Sequence, residues 1–355
     1  MISLAGAVSA NDGWISAHDS RIQYQGRVDR SLSEAVRFDW PGTRIVFRVE
    51  AREVWVRLKG ENMFEATIDG ALKPAFAVSD SVGEFQLAKD LEPGAHTIVL
   101  SKRTESLGKM AFFEGLRLVG DSAQLLEAPA PKKRRIEFIG DSYTVGYGNE
   151  STIQTPLDSQ TDSLIFFTTN TQKSFAHGVG NRLGAEVHVS AISGRGLLRN
   201  YNGFDPGKEL PYYLDRVLIT PRQERGEASL WDANAWHPHV VVITLGINDW
   251  QGEPPYPDSV AWDKAYGELL DRYRTLHPGV QFMLCATPVW PTEAMIPRVR
   301  AVVEQQKKAG HQDVVYFEFR ADKTGLWFHP SVYDHETIAQ ALIPVVVRAG
   351  RWLSR

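Results

Sequence analysis

Ile136-Glu137-Phe138-Ile139-Gly140-Asp141-Ser142 is an apolar run that breaks at a glycine and ends on a serine. So short a run reads as a buried strand, and the residues after it read as the start of a helix. Outward from this point the pattern repeats. Further strands are expected at 186–192, 240–245, 281–287 and 314–319. Helices fit at about 174–183, 259–276, 292–309 and 335–348. Ser174 is a candidate cap for the first helix, Gly310 a candidate stop for the third, and Asp334 a candidate cap for the last. Such alternation predicts a doubly wound parallel sheet with helices on both faces. In these sheets ligands collect beyond the carboxyl ends of the strands.

The first 120 residues or so follow a different rule. Arg44–Glu50 and Glu53–Lys59 alternate with period two, putting Ile45, Phe47 and Val49, and then Val54, Val56 and Leu58, on single dry faces. Asp69-Gly70 signals a hairpin, and more strands are expected at 84–87, 96–101 and 111–119. The expectation is a β-sandwich over residues 1–126. The proline-rich segment around Glu127-Ala128-Pro129-Ala130-Pro131-Lys132 then forms a linker over 127–134, followed by the α/β domain over 135–355.

Composition narrows the function classes. The chain has 355 residues, 43% of them hydrophobic and 23% charged, with a formal net charge of -4. That balance offers no global field for nucleic acid or an anionic membrane. No stretch reaches transmembrane length. Lys132-Lys133-Arg134-Arg135 reads as a solvated linker end. The one cysteine, Cys285, reads as a small core residue on a strand and excludes an intrachain disulfide. The first ten residues end in Val-Ser-Ala like the tail of a secretory signal, so a secreted or periplasmic location is the expectation. Oligomeric state is left open.

Four short blocks carry the chemistry. Gly140-Asp141-Ser142 follows the first α/β strand. Ser193-Gly194-Arg195-Gly196 follows the second, Gly246-Ile247-Asn248-Asp249 follows the third, and His329-Pro330 precedes the last helix. A serine oxygen attacks an ester when a base takes its proton. Ser142 is the candidate nucleophile and His329 the candidate base. The tetrahedral intermediate needs fixed donors for its oxyanion. The backbone N–H groups of Ser142 and Gly194 and the side-chain amide of Asn248 are the candidates. Gly196 rivals Gly194, and His335 rivals His329. Asp141 and Asp249 read as loop buttresses. His237-Pro238-His239 reads as a turn, since no Cys/His/carboxylate cluster has metal-ligand spacing. No metal or organic cofactor is expected. Tyr143, Trp250, Trp290 and Trp327 lie near motifs or strand ends and are candidates to line a substrate cleft.

These blocks resemble those of SGNH-type, GDSL-like serine hydrolases. The stretches Ile139–Gly148, Ser193–Tyr201 and Leu245–Asp249 are most similar to carbohydrate esterase family 2. Gly26-Arg27 and Phe38-Asp39-Trp40-Pro41-Gly42 look like the opening of that family's N-terminal jelly roll. The resemblance implies a Ser-His esterase that removes acetyl groups from sugars, often at the 6-hydroxyl of hexoses, in polysaccharide breakdown. Its expected partner is an acetylated carbohydrate. Many SGNH enzymes carry Asp three residues before the histidine. Here that position is Leu326, so the resemblance implies a backbone carbonyl holding the imidazole, with Asp322 as an alternative. A lipase or thioesterase acting on other acyl esters, and a non-catalytic glycan binder, remain the competing readings.

Overall fold

The structure, a computed structural model, describes residues 13–105, 109–220 and 230–352. The first ten residues, read above as the end of a secretory signal, lie outside the described residues.

The N-terminal part is an antiparallel sandwich, with a five-stranded and a seven-stranded sheet among the described residues. The period-two faces close its core: Ile45, Phe47, Val49, Val54, Val56 and Leu58 are all buried. Asp69 and Gly70, at φ +50° and +83°, turn the hairpin between Asn62–Ile68 and Ala71–Leu72. Asn62–Ile68 has buried residues on both faces and therefore no alternation to read from sequence.

The C-terminal domain, whose strands and helices are numbered here, begins with β1 (Arg134–Gly140), α1 (Ser142–Val145), α2 (Asp158–Thr168), α3 (Phe175–Arg182) and β2 (Ala185–Ala191). It continues with β3 (Val240–Thr244), α4 (Ile247–Trp250), α5 (Ser259–Leu276), β4 (Gln281–Ala286), α6 (Met295–Lys308), β5 (Val314–Glu318) and α7 (Val332–Ala349). Its sheet is wholly parallel in the order β2-β1-β3-β4-β5. Every residue of β3 is buried, because a central parallel strand is covered on both faces. Cys285 is buried on β4. The winding reverses between β1 and β3, so the carboxyl end of β1 is where a doubly wound sheet opens a crevice. Ser142 stands there.

Three local expectations need correction. Helix α2 was not read from sequence; none of its residues is buried, so it has no apolar stripe. Ser174 occupies the N-cap of α3 but its side chain makes no cap bond. The first N–H of that helix, from Phe175, goes instead to Nδ1 of His335 on α7. Helix α7 begins earlier than expected. Ser331 is its cap, and Asp334 is the third residue of a reciprocal capping box.

The two domains meet through buried polar groups. Arg27 donates to Glu137 Oε1 at 2.9 Å and to the carbonyl oxygens of Leu214 and Arg216. Ser190 Oγ donates to the same Glu137 oxygen at 2.5 Å. The charge inside the apolar run of β1 is thus an anchor for the sandwich. Asp39 accepts the N–H groups of Ile219 and Thr220. Gly42, at φ +73°, passes so close to His177 that a Cβ would lie 2.5 Å from Nε2.

Candidate active site

Ser142 is the first residue of α1, whose N-cap Asp141 is extended and accepts the Tyr143 N–H at 3.1 Å. The abrupt strand-to-helix turn lifts the hydroxyl to the floor of a cleft. His329 arrives from 187 positions away, and its Nε2 lies 2.9 Å from Ser142 Oγ. Its Nδ1 lies 2.8 Å from the Leu326 carbonyl oxygen and 3.2 Å from that of Trp327. A carbonyl only accepts, so Nδ1 carries the proton and the Nε2 lone pair faces the serine hydroxyl. Leu326 therefore supplies through its backbone what an aspartate supplies elsewhere. Asp322 is exposed on the surface.

Two successive left-handed residues, Trp327 at φ +49° and Phe328 at φ +59°, curl this segment so that both carbonyls converge on the imidazole. Non-glycine residues in that region typically cost on the order of 1–3 kcal/mol each. The curl is closed by Gly325 N–H to the His329 carbonyl at 2.9 Å and held from outside by Trp327 N–H to the Gln154 carbonyl at 2.7 Å. Gly148 lies against Leu326, where a Cβ would come within 2.3 Å of the leucine Cβ. The rings of Tyr143 and Tyr147 lie against the imidazole, with centroids 5.6 and 4.6 Å away. Desolvation lowers the His329 pKa to about 4; the two carbonyls oppose the shift and Lys323 adds to it.

The oxyanion candidates gather at the same point. Gly194, at φ +76°, is the third residue of a turn closed by Arg195 N–H to the Ile192 carbonyl at 3.2 Å. It lines the cleft together with Ser142, Asn248 and His329. Its rival Gly196 donates to Asn200 Oδ1, and a Cβ there would lie 2.1 Å from the Arg199 carbonyl and 2.5 Å from Asp249 Oδ2. Asn248 Nδ2 uses one hydrogen on the Arg195 carbonyl at 2.9 Å and retains a second. Asp249 is a buttress: it accepts the N–H groups of Leu197, Leu198 and Arg199. Burial raises its pKa to about 6, and burial raises that of Asp141 to about 8.

The cleft has a volume of about 880 Å³. Tyr143, Trp290 and Trp327 line it, joined by Tyr201, Phe204 and Phe328. Trp290 is 78% exposed, a ring held out over the opening. Trp250, a candidate for the cleft, instead sits in the core against Trp262 and Tyr256. It follows Asn248 at i+2 on α4, so its side chain points to roughly the opposite side of the helix. Lys323 also lines the cleft and donates to the Pro288 carbonyl. Nothing in its sequence neighbourhood signals that place. His335 is buried in the α3–α7 contact, its Nδ1 taken by the Phe175 N–H. His237 pairs with His277, Nδ1 to Nδ1 at 3.0 Å.

Comparison with known proteins fits this geometry. The family model for the N-terminal domain of carbohydrate esterase 2 matches residues 24–129, and that of the GDSL-like lipase/acylhydrolase family matches 138–336. A family two carbohydrate esterase from Clostridium thermocellum, solved in complex with cellohexaose, superposes with a TM-score of 0.81 at 32% identity. The match covers 94% of this chain and 100% of that one. The chain belongs to carbohydrate esterase family 2. An acetylxylan esterase/glucomannan deacetylase of Cellvibrio japonicus is 31% identical over 86% of this chain and 84% of its own length. Cellulase/esterase CelE of Acetivibrio thermocellus is 34% identical over 93% of this chain, which spans only 40% of that larger protein.

Proposed function

We propose that this carbohydrate esterase family 2 member hydrolyses O-acetyl groups from carbohydrate by a Ser-His mechanism. The observation that carries the reading is the 2.9 Å contact between Ser142 Oγ and a His329 whose other nitrogen is clamped by carbonyls. Ser142 Oγ attacks the acetyl carbonyl as its proton passes to His329 Nε2. The negative oxygen is held by the Ser142 and Gly194 N–H groups and by Asn248 Nδ2. Collapse of the intermediate expels the sugar oxygen, which takes the proton from Nε2. Water, deprotonated in turn by His329, then releases acetate from Ser142.

The aromatic walls suit the apolar faces of sugar rings better than a charged ligand. Acetylated polysaccharide is a substrate met outside the cytoplasm, and we propose a secreted or periplasmic location. Cell fractionation of the native host tests it; recovery in the cytoplasm alone would contradict it.

The functional test is acetate release from a panel of acetylated glycans, with Ser142→Ala as the blank. Release by the wild-type protein, lost in the variant at an unchanged melting temperature, is expected. Unchanged turnover in the variant would remove Ser142 from the mechanism. Comparison of acetyl with longer acyl esters and thioesters in the same assay separates the lipase and thioesterase readings. Glycan binding without hydrolysis of any acetyl ester would favour the binder.

A further inference from the structure

We infer that Glu105, a residue of the N-terminal domain, is a positioning residue that sets the oxyanion loop of the catalytic domain. Its Oε1 accepts the N–H of Ser193 at 2.5 Å across the domain boundary. Ser193 immediately precedes Gly194, so the bond fixes one side of the peptide whose N–H faces the oxyanion.

The rest of that loop is pinned from the catalytic domain. The Gly194 carbonyl accepts the Tyr201 N–H at 2.8 Å. The Arg195 carbonyl accepts Asn248 Nδ2, and Asp249 takes three successive N–H groups beyond it. The Ser193 side of the turn is where a donor still needs a partner, and Glu105 fills it.

Glu105 is well placed for this task. Only 8% of it is exposed. The segment that carries it is tied to the sandwich by Arg103 N–H to the Met63 carbonyl and by Thr104 Oγ1 to Asn62 Oδ1 at 2.9 Å. It is also tied to the catalytic domain, since the Arg103 carbonyl accepts both the N–H and the hydroxyl of Thr171. A carboxylate on such a mount has little freedom to move. The N-terminal domain, none of whose described residues lines the cleft, thus completes the catalytic centre from behind it.

Because this rests on the esterase reading, wild-type protein and Ser142→Ala are carried in the same assay. Glu105→Ala and Glu105→Gln are compared in kcat and KM for acetate release. Rates are counted per active site, titrated by an organophosphorus ester, so that misfolded protein drops out. Glutamine keeps an acceptor oxygen and alanine does not. Displacing a catalytic group by about 1 Å can cost about 100-fold. Glu105→Ala is therefore expected to lose about 10- to 100-fold in kcat with KM changed by less than about twofold, and Glu105→Gln to keep at least about half of kcat. If the alanine variant does not fold, Glu105→Met fills the space without an acceptor and takes its place. Wild-type kcat per titrated site in the alanine or methionine variant would overturn the assignment, as would equal loss in the glutamine variant. A wild-type protein that releases no acetate would overturn the esterase reading itself.

Discussion

Acidification tests how the base is held. A free imidazole titrates near 6.5, and desolvation takes His329 to about 4. The base acts only when neutral, so activity falls as pH drops through the folded pKa. With a pKa of about 4, about nine-tenths of the sites are competent at pH 5; with the ordinary value, only about one-thirtieth would be. The two cases differ by about 30-fold in kcat/KM at that pH. Acetate release from an acetylated sugar, measured between pH 3.5 and 8 by direct quantitation of acetate, resolves them. Each sample is returned to pH 7 and re-assayed so that acid unfolding is not mistaken for titration. The acidic limb is expected near pH 4. Lys323, a cation that lowers the same pKa, supplies the second half of the test. Lys323→Gln should move the limb upward. A wild-type midpoint between 6 and 7 in protein that regains full activity would refute the desolvated base.

Asn248→Ala should lower kcat by about 100- to 1000-fold, the usual effect of losing one oxyanion donor, with a smaller effect on KM; steady-state kinetics on folded variant checks it. Trp290→Ala should raise KM for an acetylated oligosaccharide while leaving turnover of a small activated acetyl ester within about twofold, since a ring stacked on sugar contributes about 1 kcal/mol. Arg27→Ala strands the Glu137 carboxylate between the domains, and chemical denaturation should show a loss of about 3–5 kcal/mol. His335 is buried with its pKa lowered to about 3 by desolvation. Its folded pKa lies below the unfolded one, so its contribution is present above about 6.5 and is lost as pH falls. Between pH 7 and 5 the loss should be about 2 kcal/mol for this group alone.

The parallel sheet was legible because its central strands are short apolar runs, that at Arg134–Gly140 ending on a glycine and that at Val240–Thr244 followed closely by Gly246. Arg44–Glu50 and Glu53–Lys59 were legible for the complementary reason, one buried face each. The blocks at Ser142, Gly194 and Asn248 follow strand ends directly, so placing the strands placed the blocks. His329 needed its proline and the following helix as context. What sequence left unread is what depends on distant contacts. The resemblance implied that a backbone carbonyl holds the imidazole, but no residue signals the left-handed turn at Trp327 and Phe328 that brings the Leu326 carbonyl to Nδ1. Trp250 directly follows a block but points to the far side of its single helical turn. Glu105 and Lys323 enter the site from segments with no motif, and Glu137 looks anomalous in a strand until Arg27 is seen opposite it.

The nucleophile is tested most directly by covalent trapping. The protein is reacted with an activated organophosphorus ester, digested, and the modified peptide sequenced by mass spectrometry. A single adduct on Ser142 is expected, formed far more slowly in His329→Ala and absent in Ser142→Ala. Stoichiometric labelling of a different residue, with acetate release abolished in step, would contradict the account.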